Sequence, residues 1–350
     1  MRNKKNIIEG FDPNGVGLKN GNFIGLPFDE QTAGIVLLPV PWDVTVSYRD
    51  GTATAANNIL EASSQLDLFD ADVKDAWKAG IYLRPIDEYW LKTSRTLRPK
   101  AQRYIKALET GKKTDTKVIQ ESLNAIHAAS VSLKEWVYQQ TDSLLEKGKI
   151  VGLIGGEHSI PLGYIEALTT RYEDIGILHI DAHLDLRQAY EGFTYSHASI
   201  FNNVLKINGV SKLVSVGIRD YCQEELDVVE ASGKRCKVFF DHKIKEAMFV
   251  GITWAEICKK IVKALPKNVY ISFDIDGLDP GLCPNTGTPV PGGLSYQEAV
   301  YLLRVLTESG KKIIGFDLCE VGGEGHEWDG NVAARILYKL CNFAWKSRKA

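Results

Sequence analysis

Residues 175–185 read IGILHIDAHLD, an apolar run that ends in three side chains able to bind a metal, Asp181, His183 and Asp185. Side chains two residues apart along an extended strand lie on the same face, so these three point in one direction. Crowded on one buried face, such groups would repel one another or lack hydrogen-bond partners, and a bound cation removes that conflict. The stretch therefore predicts a metal site at the end of a buried strand.

Two further apolar runs end in the same kinds of side chain. Residues 269–280 read VYISFDIDGLDP and place Asp274 and Asp276 two positions apart, while residues 150–154 lead into GGEHS, which supplies His158. Taken singly, each of these residues is also consistent with a strand-end cap or a turn former, but together they predict a dinuclear metal centre. The predicted ligands are His158, Asp181, His183, Asp185, Asp274 and Asp276.

The predicted ligand set of four carboxylates and two imidazoles is rich in hard oxygen donors. Such a set favours Mn(II) over zinc, which prefers Cys and His, although Ni(II) or Co(II) would bind more tightly where available. Two divalent ions held by shared carboxylates would also share a water and lower its pKa toward neutrality.

The second half of the chain alternates apolar runs with helical patterns, which predicts an α/β fold. This alternation implies a mostly parallel central sheet with helices on both faces, and ligands outside the carboxyl ends of the strands. An earlier strand is predicted at 35–38, an Ala-rich helix near 54–63 and a long helix over 118–147. Further strands are predicted at 150–154, 175–180, 212–217, 236–240, 269–275 and 312–318. Further helices are predicted at 161–171, 197–207, 222–232, 253–264, 295–309 and 330–346.

The remaining segments set the expected domain organisation. Residues 1–33 are rich in Gly, Asn and polar groups and are predicted to form an N-terminal arm, with one catalytic domain over 34–350. Residues 80–115 resist assignment and are interpreted as an excursion from the core.

Composition limits the classes of function. The chain has 350 residues, 44% of them hydrophobic, and a formal net charge of −2, so neither nucleic acid nor an anionic membrane is expected as a partner. No apolar stretch approaches the ~18 residues of a transmembrane helix, and the N-terminus lacks the apolar segment of a secretory signal. Six cysteines occur without a CxxC pair, which is typical of reduced thiols, so we expect a cytoplasmic protein.

Three other residues have candidate roles that spacing alone leaves open. His197, twelve residues after Asp185, is either a proton shuttle or a histidine that only begins a helix. Glu320 ends another predicted strand and is either the acceptor for a cation such as a guanidinium or a member of an ordinary ion pair. His179 shares the face of Asp181, but its deeper position favours a buried hydrogen bond over metal binding.

The motifs GGEHS, DAHLD, the histidine of YSHAS, SFDIDGLDP and the glutamate of CEV occur in the order in which they stand in the ureohydrolase family of arginases and agmatinases. The chain resembles this family from about residue 35 onward. The resemblance implies a three-layer α/β fold, a binuclear metal centre held by the six ligands above, and release of urea from a guanidino group. It implies proton transfer by His197, guanidinium binding by Glu320, and assembly as a trimer or hexamer.

The chain also departs from the family pattern. Glu157 stands where arginases usually carry Asp, which predicts an altered setting for His158. Arg187 stands where arginases carry an asparagine that meets the amino-acid end of the substrate, and its permanent charge would oppose a cationic tail. The strings PWDVTVSYRDGT and HEWDGNVAARILYKL resemble an agmatinase-like branch that includes nickel-dependent guanidine hydrolases. Tyr195 and Trp328, together with Trp42, are candidates for stacking on a small flat cation.

These observations predict a metal-dependent hydrolase that cleaves a guanidino C–N bond and releases urea plus ammonia or an amine. Free guanidine is favoured as substrate over agmatine, whose hydrolysis would yield putrescine and urea. The expected cofactor is a pair of divalent ions, Mn(II) by family default and Ni(II) if the chain belongs to the guanidine branch. The alternatives are a catalytically silent regulatory paralogue and a one-metal deacetylase.

Overall fold

The computed structural model describes residues 3–349, and within them eight strands form one parallel sheet. The strand order is β2-β1-β3-β8-β7-β4-β5-β6, and every neighbouring pair is parallel. The strands are β1 (Ile35–Pro39), β2 (Ile81–Leu83), β3 (Ile150–Ile154), β4 (Ile175–Ile180), β5 (Val210–Ile218), β6 (Cys236–Phe240), β7 (Asn268–Asp274) and β8 (Lys312–Cys319).

Eleven helices lie within the same residues. They are α1 (Lys4–Gly10), α2 (Ala55–Ser63), α3 (Glu88–Glu109), α4 (Lys117–Glu146), α5 (Leu162–Thr169), α6 (Ile200–Val204), α7 (Gln223–Ala231), α8 (Asp241–Phe249), α9 (Trp254–Lys263), α10 (Tyr296–Glu308) and α11 (Glu327–Ser347). None of the helices in residues 3–349 is long and apolar enough to cross a membrane.

Strand β4 shows why the sheet is covered on both sides. All six of its residues are buried, and its side chains divide between two hydrophobic cores. Ile175 and Ile177 belong to the core that includes residues of α3, α4 and α5, while Leu178 and Ile180 belong to the core with α9, α10 and α11. A strand that packs on both faces needs a continuous apolar run, which residues 175–180 provide. The predicted three-layer α/β fold is confirmed.

The interpretation of residues 80–115 as an excursion from the core is wrong. They contain β2, which pairs with β1 at the edge of the sheet, and α3, whose Leu97 and Ala101 are buried. A three-residue strand is too short to show a periodic pattern, and Pro99 lies in the middle of α3. Proline removes a backbone donor and is usually evidence against a continuous helix.

Smaller differences occur elsewhere. The predicted helix at 197–207 is a single 3-10 turn, His197–Ser199, followed by the short α6. Helix α8 lies in a stretch for which no element was predicted. The N-terminal segment contains α1, whose Ile7 and Ile8 pack against the main core. A boundary between arm and domain at residues 33 and 34 stays a prediction.

Candidate metal centre and substrate cavity

The carboxyl ends of β3, β4 and β7 bring four of the predicted ligands around one nitrogen atom. Nδ1 of His158 lies 2.9 Å from Oδ2 of Asp181 and 3.3 Å from Oδ2 of both Asp185 and Asp274. All four side chains are at most 5% exposed. Parallel strands end at the same edge of a sheet, which is why residues distant in sequence meet here.

The two other predicted ligands lie on the opposite side of Asp181. Nδ1 of His183 is 3.1 Å from Oδ2 of Asp276 and 3.5 Å from Oδ1 of Asp181. The two oxygens of Asp181 therefore face two separate groups of donors, one around His158 and one around His183. The structure brings all six predicted ligands together.

The electrostatics of this cluster fit divalent cations. Burial and then the neighbouring Asp276 and Asp181 raise the pKa of Asp274 well above its usual range. Burial and then Asp181 raise the pKa of Asp185 to about 7. Carboxylates this close oppose one another's ionisation, and a cation among them would reverse that effect. The oxygen-rich donor set is of the kind that hard divalent ions prefer.

A hydrogen-bonded chain fixes the orientation of the His158 ring. Its Nε2 lies 2.8 Å from Oγ of Ser272, and Ser272 in turn donates to Oδ2 of Asp317 across 2.8 Å. A ring that donates from Nε2 presents the lone pair of Nδ1 to the cluster. Neither Ser272 nor Asp317 was predicted. The available signal was a carboxylate inside the apolar run of β8, because aspartate is almost never fully buried without a partner.

His179 lies behind the cluster. Its Nε2 is 2.8 Å from Oδ2 of Asp181 and its Nδ1 is 3.0 Å from Oγ of Ser215. Both ring nitrogens are engaged and the side chain is fully buried. The expected buried hydrogen bond is confirmed, and through it His179 orients the carboxylate of Asp181.

Two of the predicted functional carboxylates sit on strained backbone. Asp185 has a φ of 55° and Glu320 a φ of 61°. Residues other than glycine adopt this left-handed region at a cost of about 1–3 kcal/mol, and they tend to cluster at functional sites.

Glu320 carries an unsatisfied acceptor beside the cluster. Its Oε1 accepts a hydrogen bond from the backbone N–H of His158, whereas its buried Oε2 has no hydrogen-bond partner. Burial and then the nearby Glu157 raise the pKa of Glu320 well above its usual range. A buried carboxylate oxygen without a donor is costly, and the planar N–H groups of a guanidinium are donors of matching geometry.

Glu157 is engaged with a neighbouring loop. It accepts hydrogen bonds from the backbone N–H and the hydroxyl of Thr45, and a third from the hydroxyl of Ser159. Burial raises the pKa of Glu157 to about 7 even though these bonds favour its charged form. The departure from the family pattern thus ties the segment after β1 to the segment that carries His158.

A cavity of about 390 Å³ opens onto the cluster. Ser47, Tyr48 and Arg49 line one part of it, called here the first wall, and residues of the segment 185–198 line a second wall; residues of 220–225 and 288–290 complete the lining. The complete lining is Ser47, Tyr48, Arg49, His183, Asp185, Arg187, Tyr190, His197, Ala198, Asp220, Tyr221, Glu225, Thr288, Pro289 and Val290. Glu320 is not among the lining residues. It lies next to Gly287, the residue before the lining Thr288, where an added Cβ would stand 2.9 Å from Oε2.

Arg187 and His197 both face this cavity. The guanidinium of Arg187 lies 4.8 Å from the centre of the Tyr190 ring, and its Nε is 4.0 Å from Oε2 of Glu225. Burial and then the nearby His183 and His158 lower the pKa of His197 to about 3. The lowered pKa favours the neutral imidazole.

The predicted aromatic box does not form at this cavity. Tyr195 packs on His127 with ring centres 5.4 Å apart and lines a separate small cavity with Trp42. Trp328 is 53% exposed, and its indole N–H donates to the carbonyl of Gly281. The tyrosines that line this cavity are Tyr48, Tyr190 and Tyr221, and the sequence singled out none of them.

A buried cluster of carboxylates and imidazoles at the carboxyl edge of a parallel sheet, open to a cavity, is typical of a metal-dependent hydrolase. Residues 33–341 match the model of the arginase family. The N(1)-aminopropylagmatine ureohydrolase of Thermus thermophilus is 31% identical over 335 residues, which cover 92% of this chain and 95% of that protein. The chain belongs to the arginase family and is a ureohydrolase.

Two further comparisons agree with this assignment. The agmatinase of Bacillus subtilis is 28% identical over 330 residues, covering 91% of this chain and 94% of that protein. The crystal structure of agmatine ureohydrolase of Thermoplasma volcanium superposes with a TM-score of 0.70 at 23% identity, covering 99% of each chain. At that identity the structural likeness concerns the fold.

Proposed function

We propose that this ureohydrolase cleaves a small guanidino compound at a two-metal centre and releases urea, with free guanidine as the favoured substrate. The observation that carries the proposal is the buried Oε2 of Glu320, which lacks a hydrogen-bond partner and lies beside the cluster of predicted ligands. A guanidinium is a planar cation with paired N–H donors, and such groups pair with carboxylates by two parallel hydrogen bonds.

The six clustered side chains would hold the two ions. His158, Asp185 and Asp274 would bind one ion, His183 and Asp276 the other, and Asp181 offers one oxygen to each group. Such ions, when bound, lower the pKa of a shared water and polarise the group under attack. The donor set favours Mn(II), and Ni(II) is the alternative.

The protein side chains would supply orientation and proton transfer. At its unpartnered Oε2, Glu320 would accept an N–H group of the substrate and turn the guanidinium carbon toward the cluster. His197, neutral and on the cavity wall, would accept a proton and pass it to the departing nitrogen. Attack of water on the guanidinium carbon would form the new C–O bond. Departure of ammonia, or of an amine from a substituted guanidine, would then break the C–N bond and leave urea.

Arg187 supports the choice of free guanidine. Its guanidinium faces the cavity and is permanently charged, so it would repel the distal ammonium of agmatine. A substrate without a tail avoids this repulsion, and one with an anionic tail would be tolerated.

Agmatine or a related amine is the second candidate. Asp220 also lines the cavity, and its side chain is 68% exposed, so a carboxylate is available for a cationic tail. The names of the relatives, N(1)-aminopropylagmatine ureohydrolase and agmatinase, agree with this candidate.

A substrate panel separates the two. Protein loaded with Mn(II) or with Ni(II) would be assayed for urea from guanidine, agmatine, N(1)-aminopropylagmatine, arginine and guanidino acids. We expect the highest kcat/KM for guanidine, with ammonia and urea released in equal amounts. A higher kcat/KM for agmatine would overturn the choice of substrate. Absence of urea from every compound, with folded and metal-loaded protein, would favour a silent regulatory paralogue.

The metal centre has its own test. Elemental analysis should find two ions per chain, whereas one ion would favour a one-metal hydrolase. Asp276→Ala should abolish urea release and lower the metal content. Asp227→Ala, which removes an exposed carboxylate of α7, is the matched control and should change neither. Light scattering on the same samples measures the oligomer, which we expect to be a trimer or hexamer.

A further inference from the structure

Helix α3 carries a polar stripe that faces the loop of residues 43–50. Ser94, Arg98 and Gln102 follow one another at intervals of four residues, so they lie on one side of the helix. Each of the three forms a hydrogen bond to this 43–50 loop. One helix face thus contacts the loop over two successive turns.

Arg98 makes the central contacts of this stripe. Its Nη1 donates to the backbone carbonyls of Val44 and Val46 at 3.1 and 2.6 Å, and its Nε donates to Oδ2 of Asp50 at 3.1 Å. The arginine is only 7% exposed. Two of its three partners are backbone oxygens, so these contacts fix the course of the main chain.

The outer two residues hold the ends of the loop. The hydroxyl of Ser94 donates to Oδ1 of Asp43 at 3.0 Å, and the amide of Gln102 donates to Oδ2 of Asp50 at 2.8 Å. Asp43 also accepts hydrogen bonds from the backbone N–H groups of Gly51 and Ala53. Both ends of the 43–50 loop are therefore fixed to α3 or to the turn that follows.

The 43–50 loop is one wall of the substrate cavity. Ser47, Tyr48 and Arg49 line it, and Arg49 donates to the carbonyl of Pro284. The neighbouring Thr45 bonds to Glu157, the residue before His158. A displacement of this loop would change the width of the cavity without removing any predicted metal ligand.

The same helix touches the other wall. Tyr104 of α3 packs edge-on against Phe193, with ring centres 5.6 Å apart. Phe193 belongs to the segment that carries Arg187 and His197. Both walls thus rest on a single helix.

We propose that α3 sets the spacing between the two walls of the cavity and that Arg98 is the positioning residue that holds the 43–50 loop. A buried arginine is a costly way to pack a helix, because an apolar side chain of similar volume is often as stabilising or more so. Its paired carbonyl contacts are what an apolar replacement would lack. The proposal rests on the proposed function only where urea release is the readout.

The test compares Arg98→Met with Arg98→Lys and with the control Arg103→Met, which alters an exposed arginine of the same helix. Measured quantities are KM and kcat for urea release, amide hydrogen exchange of residues 43–53, and bound metal. Arg98→Met should raise KM at least tenfold, with a smaller effect on kcat, and speed exchange in 43–53 at unchanged metal content. Arg98→Lys should recover part of both effects, because lysine supplies charge without the planar fork. Arg103→Met should match the parent protein.

The proposal is overturned if folded Arg98→Met keeps its KM within twofold and its exchange in 43–53 unchanged. If Arg98→Met does not fold, Gln102→Ala and Asp50→Asn test the contact between α3 and the 43–50 loop at exposed side chains. Each substitution should speed amide hydrogen exchange in the loop. Unchanged exchange in both would also overturn it. Amide hydrogen exchange is measured without substrate. A substrate panel that yields no urea would therefore count against the proposed function but not against the role of Arg98.

Discussion

The backbone N–H of His158 donates a hydrogen bond to Oε1 of Glu320 across 3.0 Å. One contact therefore joins a predicted metal ligand to the predicted acceptor for the guanidinium. The two residues follow β3 and β8, which are neighbours in the sheet, so the sheet itself sets their separation. Because Oε1 is occupied by this bond, Oε2 is left for the substrate.

The charge on Glu320 is predicted to be essential for substrate binding. Glu320→Gln keeps an oxygen for the His158 N–H but removes the charge that would pair with the guanidinium. Breaking a buried charge pair costs about 2–5 kcal/mol, so kcat/KM should fall about 30-fold or more. Urea release measures the loss, and bound metal should stay unchanged. Glu327→Gln, at an exposed position of α11, is the control, and activity within threefold of the parent protein in Glu320→Gln would refute the role.

Ser272 is predicted to set metal affinity through His158. Ser272→Ala removes the partner of Nε2, and the ring is then no longer held with Nδ1 toward the cluster. Loss of such a supporting hydrogen bond typically weakens metal binding by about 10–100-fold. Titration calorimetry with Mn(II) measures the change. Thr307→Ala removes a buried hydroxyl that bonds to Leu303 in α10 and should leave affinity as it was; equal affinities in the two variants would contradict the prediction.

Arg187 is predicted to select against cationic tails. Two like charges that share a small cavity near a surface repel by about 1–2 kcal/mol after screening. Arg187→Asn should therefore raise the ratio of kcat/KM for agmatine to that for guanidine roughly tenfold. Arg171→Asn is the control. Arg171 follows α5 and pairs with Asp142, so its replacement should leave this ratio unchanged. An unchanged ratio in Arg187→Asn would show that the tail does not pass this residue.

Asp72 is predicted to make stability depend on pH. It pairs with Lys339 of α11 at 2.8 Å and with Arg304 of α10 at 3.3 Å. Burial alone would raise the pKa of Asp72, but Lys339 and Arg304 lower it overall. A pKa lowered by folding adds stability above the unfolded value of about 4, and this is lost as pH falls through the folded value.

Asp72→Asn should accordingly lower the thermal midpoint at pH 7, and the difference from the parent protein should shrink below about pH 4. Thermal unfolding followed by circular dichroism between pH 7 and pH 3 measures both. Asp115→Asn, at an exposed position between α3 and α4, should show no such trend. If the thermal midpoints of Asp72→Asn and the parent protein differ by the same amount from pH 7 to pH 3, the ion pair is not the cause of the difference.

The clustering of the six predicted ligands could be predicted from the sequence because each motif that carries them is local. Asp181, His183 and Asp185 follow one apolar run directly, and parallel strands must end at a common edge. The central strands were predictable as well, since each is a mainly apolar run. Their bounds differ from the predicted ones by two residues or fewer.

What the sequence did not indicate depends on contacts between distant segments. Ser272 and Asp317 are single polar residues inside apolar runs, and their partnership with His158 arises only when β7 and β8 pair. Tyr195 and Trp328 were placed at the substrate because aromatic rings suit a flat cation, but packing directs both of them elsewhere. Helix α3 was hidden by Pro99, although its stripe holds a wall of the cavity.

The left-handed backbone at Asp185 and Glu320 has a consequence for engineering. Glycine at either position would relax the main chain while deleting a carboxylate that is predicted to bind metal or substrate. A screen that rewards heat resistance alone would therefore enrich inactive proteins at these two positions. Selection for thermal stability in this enzyme should be paired with selection for urea release.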